Sequence, residues 1–509
     1  MVKIIEFIQD ELWYGGAVDM GDKFPLCADD EYFLDTTINK TTNQLNPVFI
    51  SNKGRYIWLE RGGSFCVKNG VITVDAPEIE FKQAGTTLRD AATAASISHY
   101  PPTNTMPNKR AFERPQYCSW VVHLWSQNQE RLLEYARSIV AAGYKPGLLI
   151  IDDTWQKDYG VWEFNATNFP NPKAMMKELK ELGFTVSMWI CPYVSPDSPK
   201  SAEYAPWIFD HIREGRIVTD GKRPRFVGWW EGYSAALDFT RPAAKQWIND
   251  NVKRLQVDYG VDGFKMDGGD PMYWDNEYGD GNLQSTLWID SIDNDLKEAR
   301  SCYKLAGKPI IQRLNDKRHL WKSIDGGLGL SSLLPCIMTQ GLIGYWYGCA
   351  DMVGGGVSSD FIDKSNLDDE LIIRWCQASA LLPMIQFSLD VWNRKQNGVA
   401  ECCRKALDLR ERLLPYILEK LETASHTGEP MVRYLEYEFP NCGLASVTDE
   451  FMLGEKYLVA PVLEKGKTGR EVIFPSGRWR DIEDLTEYGE GSHFVSAPID
   501  KLPVFERIK

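Results

Sequence analysis

Histidine is scarce in this chain, with six in 509 residues, and none stands in an HExxH pattern. No CxxC pair occurs either. These absences argue against a zinc site, and no cofactor or metal is expected. No apolar run approaches the ~18 residues that a membrane span needs. The opening "MVKIIEFIQDELWYGG" has no basic segment followed by an apolar one, so no signal peptide is expected. Positive charge is in deficit: 57 Lys and Arg face 71 Asp and Glu, a net charge of -14. A nucleic-acid binder would present a basic face, so nucleic acid is not an expected partner. The 11 cysteines are scattered, and only Cys402 and Cys403 are adjacent. An odd, unpatterned set without a signal peptide reads as reduced, and a cytoplasmic location is the expectation.

What is present is a large apolar inventory, 43% of residues, in a chain too long for one ordinary domain. Residues 1–112 read as β-rich, without a strong helix. "NPVFISNKGRYIWLE" and "GSFCVKNGVITVDAPEIEFKQA" alternate Val, Ile, Phe and Tyr with "NKG" and "KNG" turns, as in a β-sandwich. From about residue 113 the pattern alternates. "SQNQERLLEYARSIVAAG" reads as a helix with Ser126 and Gln129 at capping-box spacing. "PGLLIIDDTW" reads as a buried parallel strand. "NPKAMMKELKELG" reads as a helix capped by Asn171, and "FTVSMWICPYV" as the next strand. "AALDFT", "VDGFKMDGGD", "KPIIQRL", "YWYGCAD" and "LPMIQFSL" follow as strands, with a helix over "RPAAKQWINDNVKRLQVDYG". Such alternation over 113–427 predicts a (β/α)8 TIM barrel, with an insertion around 196–233. Residues 428–509 turn β-rich again and predict a C-terminal β-sandwich.

The predicted strands end in polar groups: Asp152 and Asp153, Trp189, Asp238, Asp267, Arg313, Asp351 and Gln386. The C-terminal face of a parallel barrel carries its active site. One Asp after a strand is usually a turn residue. Recurring acids in one pocket are another matter, because like charges disfavour each other's ionised forms. Two chemistries suit such acids: metal-bound phosphate chemistry, or glycoside hydrolysis by two carboxylates. The accompanying Trp155, Trp189, Trp229, Trp230 and Trp346 favour a carbohydrate.

"GVDGFKMDGGD" resembles the nucleophile segment of glycoside hydrolase family 31. "FNATNFPNPKAMMKELKELGFTVSMWICPYVSPDSP", "LDFTRPAAKQW", "GLIGYWYGCADMVGGG", "FMLGEKYLVAPVLEKG" and "GRWRDIED" resemble further family segments, in family order. The resemblance implies Asp267 as nucleophile and Arg313 as a substrate-contacting arginine after the fifth strand. It implies Asp351 as a pocket acid and Asp325, in "LWKSIDGGLGL", as acid/base. Asp316 is the reserve acid/base. "IDDTW" resembles the paired Asp that follows the first strand in α-galactosidase families, where it binds sugar hydroxyls. The site after the eighth strand reads "PMIQFSLDVW", with no His, and Lys265 stands where glucosidases often have Trp. "LWYGG" and "GWW" add to a resemblance to the α-galactosidase-like branch. An N-terminal loop is then expected at the barrel mouth.

These readings predict a retaining exo-α-glycosidase that removes terminal α-galactose from a small-molecule carbohydrate. Asp152, Asp153, Trp189, Trp230, Lys265, Arg313, Asp351 and Gln386 are the expected substrate-binding residues. α-Glucosidase, α-xylosidase and α-N-acetylgalactosaminidase activities are the alternatives, as is an inactive sugar-binding protein on the same scaffold. Lys265 and Asp267, two apart on a strand, should share a face, and the cation should favour ionised Asp267. Gly268 and Gly269 should leave room for the sugar and for a sharp exit of the chain. No nucleic-acid or membrane partner is expected, and the oligomeric state, monomer or homo-oligomer, stays open.

Overall fold

The computed structural model describes residues 1–196, 207–221, 223–274, 279–324 and 326–508. Eight parallel strands close a barrel. In chain order they are Gln116–Cys118, Leu148–Ile151, Thr185–Ile190, Gly263–Met266, Lys297–Ala299, Ile311–Arg313, Gly348–Met352 and Met384–Phe387. The eighth pairs back onto the first, with Phe387 opposite Tyr117. The expected TIM barrel is therefore present, but two of its strands escape the sequence reading. Gln116–Cys118 and Lys297–Ala299 are only three residues long, and the second opens with Lys297 and Glu298. Neither offers the apolar run by which a buried strand is recognised. The strand ending in Arg313 is accordingly the sixth, not the fifth, and Asp152 follows the second.

"AALDFT" is not a barrel strand. Gly232–Ala236 pairs with Phe226–Trp229 and with Tyr193–Val194 in a separate three-stranded antiparallel sheet. This sheet, with the helix Trp207–Arg213, carries the described part of the insertion and leaves the barrel directly after the third strand. Asp238 consequently sits away from the mouth. It accepts from Thr240 and from the Gln284 side chain, leading into the helix Pro242–Tyr259. That helix buries Ala244, Ile248, Val252 and Leu255 at the expected spacing and ends at left-handed Gly260.

The helix over Gln129–Ala141 is capped by Asn128, whose side chain accepts from the Arg131 N–H, rather than by Ser126. Asn171 caps the next helix as expected, accepting from Ala174 with Pro172 in the first turn.

Before the barrel, two antiparallel sheets face each other. Phe49 and Phe65 stack between them with ring centroids 3.8 Å apart. The Ser64–Lys68 and Val71–Asp75 hairpin turns through Asn69 and Gly70, both at positive φ, as a two-residue hairpin turn requires. Residues 88–99 form a helix that was not expected. Its signal was the capping box of Thr87 and Asp90, in a segment otherwise too rich in Ala, Ser and Thr to show a clear apolar stripe. The sandwich is tied to the barrel: Cys302–Tyr303, just past the fifth barrel strand, adds to the sheet edge at Gln44–Leu45.

After the barrel, a six-stranded sheet and a separate two-stranded antiparallel sheet form the C-terminal β domain. "PMVRYLEYEFP" contributes only the short strand Val432–Arg433 and then turns helical over Leu435–Glu438. Among the described residues no helix is long and apolar enough to cross a membrane.

Candidate active site

A cavity of about 810 Å³ opens at the C-terminal ends of the barrel strands. Asp267 lies in its wall with Lys265, Asp152, Asp153 and Trp189. The N-terminal sandwich completes the wall with Asp19, Phe33 and Lys40–Thr42, so its loops reach the mouth.

Asp267 follows the fourth strand and is 7% exposed. Its Oδ1 accepts from the Gly268 N–H at 2.9 Å and from Arg300 Nε at 3.0 Å. Its Oδ2 accepts from Trp189 Nε1 at 3.3 Å and lies 3.6 Å from both Lys265 Nζ and Arg313 Nη2. Burial alone would raise its pKa. The charges of Arg300, Lys265 and Arg313 outweigh burial and hold the carboxyl well below the usual range. The arrangement is an ionised, nearly buried carboxylate in the cavity wall, its orientation fixed by its hydrogen-bond donors.

Lys265 shares the face of Asp267 as expected. Its closest acid is Asp152, at 2.7 Å. Asp152 also receives the Cys118 thiol at 3.0 Å. Asp152 thus reaches Asp267 through a shared cation, and both acids line the cavity.

Asp153 differs in its partners. Its oxygens accept from the Thr154 N–H, Gln156 Nε2 and Tyr159 Oη, all neutral. Burial pushes its carboxyl up to about 7. Thr154, which follows it, has φ 71°, a strained conformation for a β-branched residue.

Arg313 and Asp351 lie just outside the cavity wall. Arg313 is fully buried, with Nη1 donating to Asp351 at 2.7 Å and to Asp316 at 2.6 Å. Asp351, itself at φ 68°, also accepts from the Lys317 N–H. Both residues, expected at the substrate, stand behind Asp267, with Arg313 Nη2 3.6 Å from its Oδ2. Gln386 is likewise not at the cavity. It is buried inside the barrel against Gln116 and Glu298, because the eighth strand directs it inward below the mouth.

Trp189 and Trp230 line the cavity, whereas Trp155, Trp229 and Trp346 are packed elsewhere. Trp120, Trp125 and Tyr273 take their place in the wall. Trp230, 47% exposed, lies over the Arg300 guanidinium at 5.3 Å. Gly268 and Gly269 do not make room for a sugar. Both have positive φ, and a Cβ on them would meet Tyr193 at 3.0 Å and Trp288 at 2.6 Å. They turn the chain tightly against aromatic rings.

Arg300 was missed by the sequence reading. So was the extent to which Asp270 belongs with it: the two carboxylate oxygens of Asp270 accept from Arg300 Nη1 and Nη2. Burial raises the Asp270 carboxyl despite that cation. Asp325 lies outside the described residues. Its chain neighbour Gly326 lines the cavity, as does Asp316. Among the described residues no group of three or more His, Cys, Asp or Glu is placed to hold a metal ion.

Comparison with known proteins agrees with this fold. Residues 105–318 and 328–420 match the glycosyl hydrolases family 31 TIM-barrel domain. Residues 428–508 match the glycosyl hydrolase family 31 C-terminal domain. The barrel match is interrupted over 319–327, the stretch that contains Asp325. The myogenesis-regulating glycosidase of Mus musculus is 31% identical over 394 residues, 74% of this chain and 54% of that one. Alpha-glucosidase 2 of Bacillus thermoamyloliquefaciens is 26% identical over 74% of this chain and 50% of its own. The chain spans about half the length of these curated relatives. In structure it resembles a Flavobacterium johnsoniae dextranase solved with glucose, at TM-score 0.81 and 20% identity, over 99% of this chain and 66% of that one. It also resembles an α-xylosidase from a soil metagenome solved with xylose, at TM-score 0.81 and 21% identity, over 100% and 79%. With more than half of its length matched to the barrel domain, the chain belongs to glycoside hydrolase family 31.

Proposed function

We propose that this protein is a retaining exo-α-glycosidase that hydrolyses terminal α-galactosides. The observation that carries the reading is Asp267: an ionised, oriented carboxylate in the wall of a sugar-sized cavity, backed by three cations. Such a group is built to attack an anomeric carbon and form a glycosyl ester. The partner that protonates the leaving oxygen, and later activates water, is Asp325, with Asp316 in reserve. In a retaining enzyme the two carboxyls stand about 5–5.5 Å apart.

The galactose assignment is supported by the paired Asp152 and Asp153 in the cavity wall and by Lys265 beside Asp267. Acidic side chains in the wall outnumber the basic ones, and Lys265 and Arg300 are already committed to acids. The cavity therefore suits a neutral sugar better than an anionic one.

One panel of aryl α-glycosides, with leaving groups of graded acidity, tests both assignments. The α-galactoside is expected to turn over faster than the α-glucoside, the α-xyloside and the α-N-acetylgalactosaminide. The reverse order would remove the galactose reading. In Asp325→Ala, activity is expected to recover as the leaving group becomes more acidic, because it then needs no proton. The same recovery in Asp316→Ala instead would transfer the acid/base role.

A further inference from the structure

Arg300 occupies a singular place in the site. Four of its N–H groups are committed at once. Nε donates to Asp267 Oδ1 at 3.0 Å, and Nη2 donates to Asp270 Oδ2 at 2.8 Å. Nη1 donates to Asp270 Oδ1 at 2.9 Å and to the Thr42 carbonyl. The guanidinium is a planar fork whose donors have fixed directions, so these bonds set the orientation of Asp267. The remaining surroundings are equally specific. Trp230 of the insertion lies over its face. Its backbone carbonyl accepts from Gln44 Nε2, which also donates to the Arg313 carbonyl at 2.8 Å. Gln44 is held in turn by Gln340 Nε2 at 2.8 Å. Thr42 and Gln44 belong to the N-terminal sandwich, so that domain grips two of the three cations behind the nucleophile.

We infer that Arg300 is a positioning residue for Asp267 and that the N-terminal domain, through Thr42 and Gln44, holds Arg300 in register. The inference rests on the reading of Asp267 as nucleophile. It gives the sandwich a role in the chemistry besides shaping the mouth.

Among the described residues, other titratable groups face Asp267 as well. Lys265 comes from its own strand, Glu298 from the fifth and Arg313 from the sixth. Cys191 follows the third strand, and Asp270 and Tyr273 lie on the turn after Asp267. Among the described residues, only Arg300 places a donor within 3.0 Å of a carboxylate oxygen of Asp267 while also binding a second acid. Removing its charge leaves Lys265 and Arg313 farther off, and the Asp267 carboxyl should become easier to protonate.

The test uses the full chain with Arg300→Gln and Arg300→Lys, checked for folding by circular dichroism and thermal melting. A water-soluble carbodiimide activates a carboxyl at a rate that follows its protonated fraction, so peptide mass mapping over a pH series reads the state of Asp267 without turnover. In Arg300→Gln, the pH at which Asp267 is labelled is expected to move up. The acid limb of kcat/KM, which reports the free enzyme, should move with it. In Arg300→Lys, the charge remains but the fork is lost. Labelling should stay near that of the unmodified protein, while kcat falls several-fold at unchanged KM. Should the Gln variant fail to fold, the kcat split in the Lys variant decides. Unmoved labelling in Arg300→Gln, or full kcat in Arg300→Lys, would overturn the inference. An unmodified protein that cleaves no α-glycoside would instead defeat the functional reading, and the labelling would still decide the role of Arg300.

Discussion

Asp267 and Asp153 line the same cavity, one past the fourth barrel strand and the other past the second. Both are buried carboxyls, and burial pushes both upward. Asp267 meets Arg300, Lys265 and Arg313 and is held ionised. Asp153 meets Thr154, Gln156 and Tyr159, none of them charged, and is left near 7. The difference teaches that partners, rather than burial, divide the work between acids of one pocket. A carboxylate whose proton is lost well below neutrality suits nucleophilic attack. One that holds or releases a proton near neutrality can accept or donate to a sugar hydroxyl.

The comparison breaks most visibly at Lys265. In Lys265→Met, Asp152 loses its 2.7 Å partner while remaining buried. Breaking a buried pair by removing one member costs about 3–5 kcal/mol. Denaturant unfolding should show a loss of that order, together with a fall in kcat, because Asp267 loses a cation as well. Unchanged stability would mean that water or another group already satisfies Asp152.

A smaller effect, of opposite sign, is expected at Asp153. Its folded-state pKa of about 7 lies above its ordinary value of 3.8. The folded state therefore holds a proton that the unfolded state releases, and stability falls as pH rises from about 4 to about 7. In Asp153→Asn the side chain is neutral throughout, and Tyr159 can accept from the new amide. The melting temperature of the variant, relative to the unmodified protein, should improve as pH rises across that window. A difference independent of pH would show that Asp153 is ionised in the folded protein.

How far the site could be read from the sequence follows the same physics. "GFKMDGGD" carries its chemistry locally: the alternation places Lys265 and Asp267 together, and the structure keeps them so. The long barrel strands and the helix Pro242–Tyr259 show in apolar periodicity, and they were legible. Arg300 was not, because its strand is three residues long and opens with Lys297 and Glu298. Its importance comes from partners 30 to 258 positions away, which no local pattern records. Gln386 and Asp238 failed for the converse reason. Each lies in an apolar stretch that resembles a barrel strand end, but one points below the mouth and the other leaves an inserted sheet. Of the two roles read for the glycines after Asp267, the sharp exit of the chain holds and the room for a sugar does not, since only the fold shows the rings packed against them.

The central claim is that Asp267 becomes covalently glycosylated. The direct measurement is to trap that ester with a ring-fluorinated α-galactosyl fluoride, whose fluorine slows breakdown of the glycosyl-enzyme, and to map the label by peptide mass. The account predicts a single label on Asp267, absent in Asp267→Ala. A label on Asp316, Asp325 or any other carboxyl, or turnover that persists in Asp267→Ala, would contradict it.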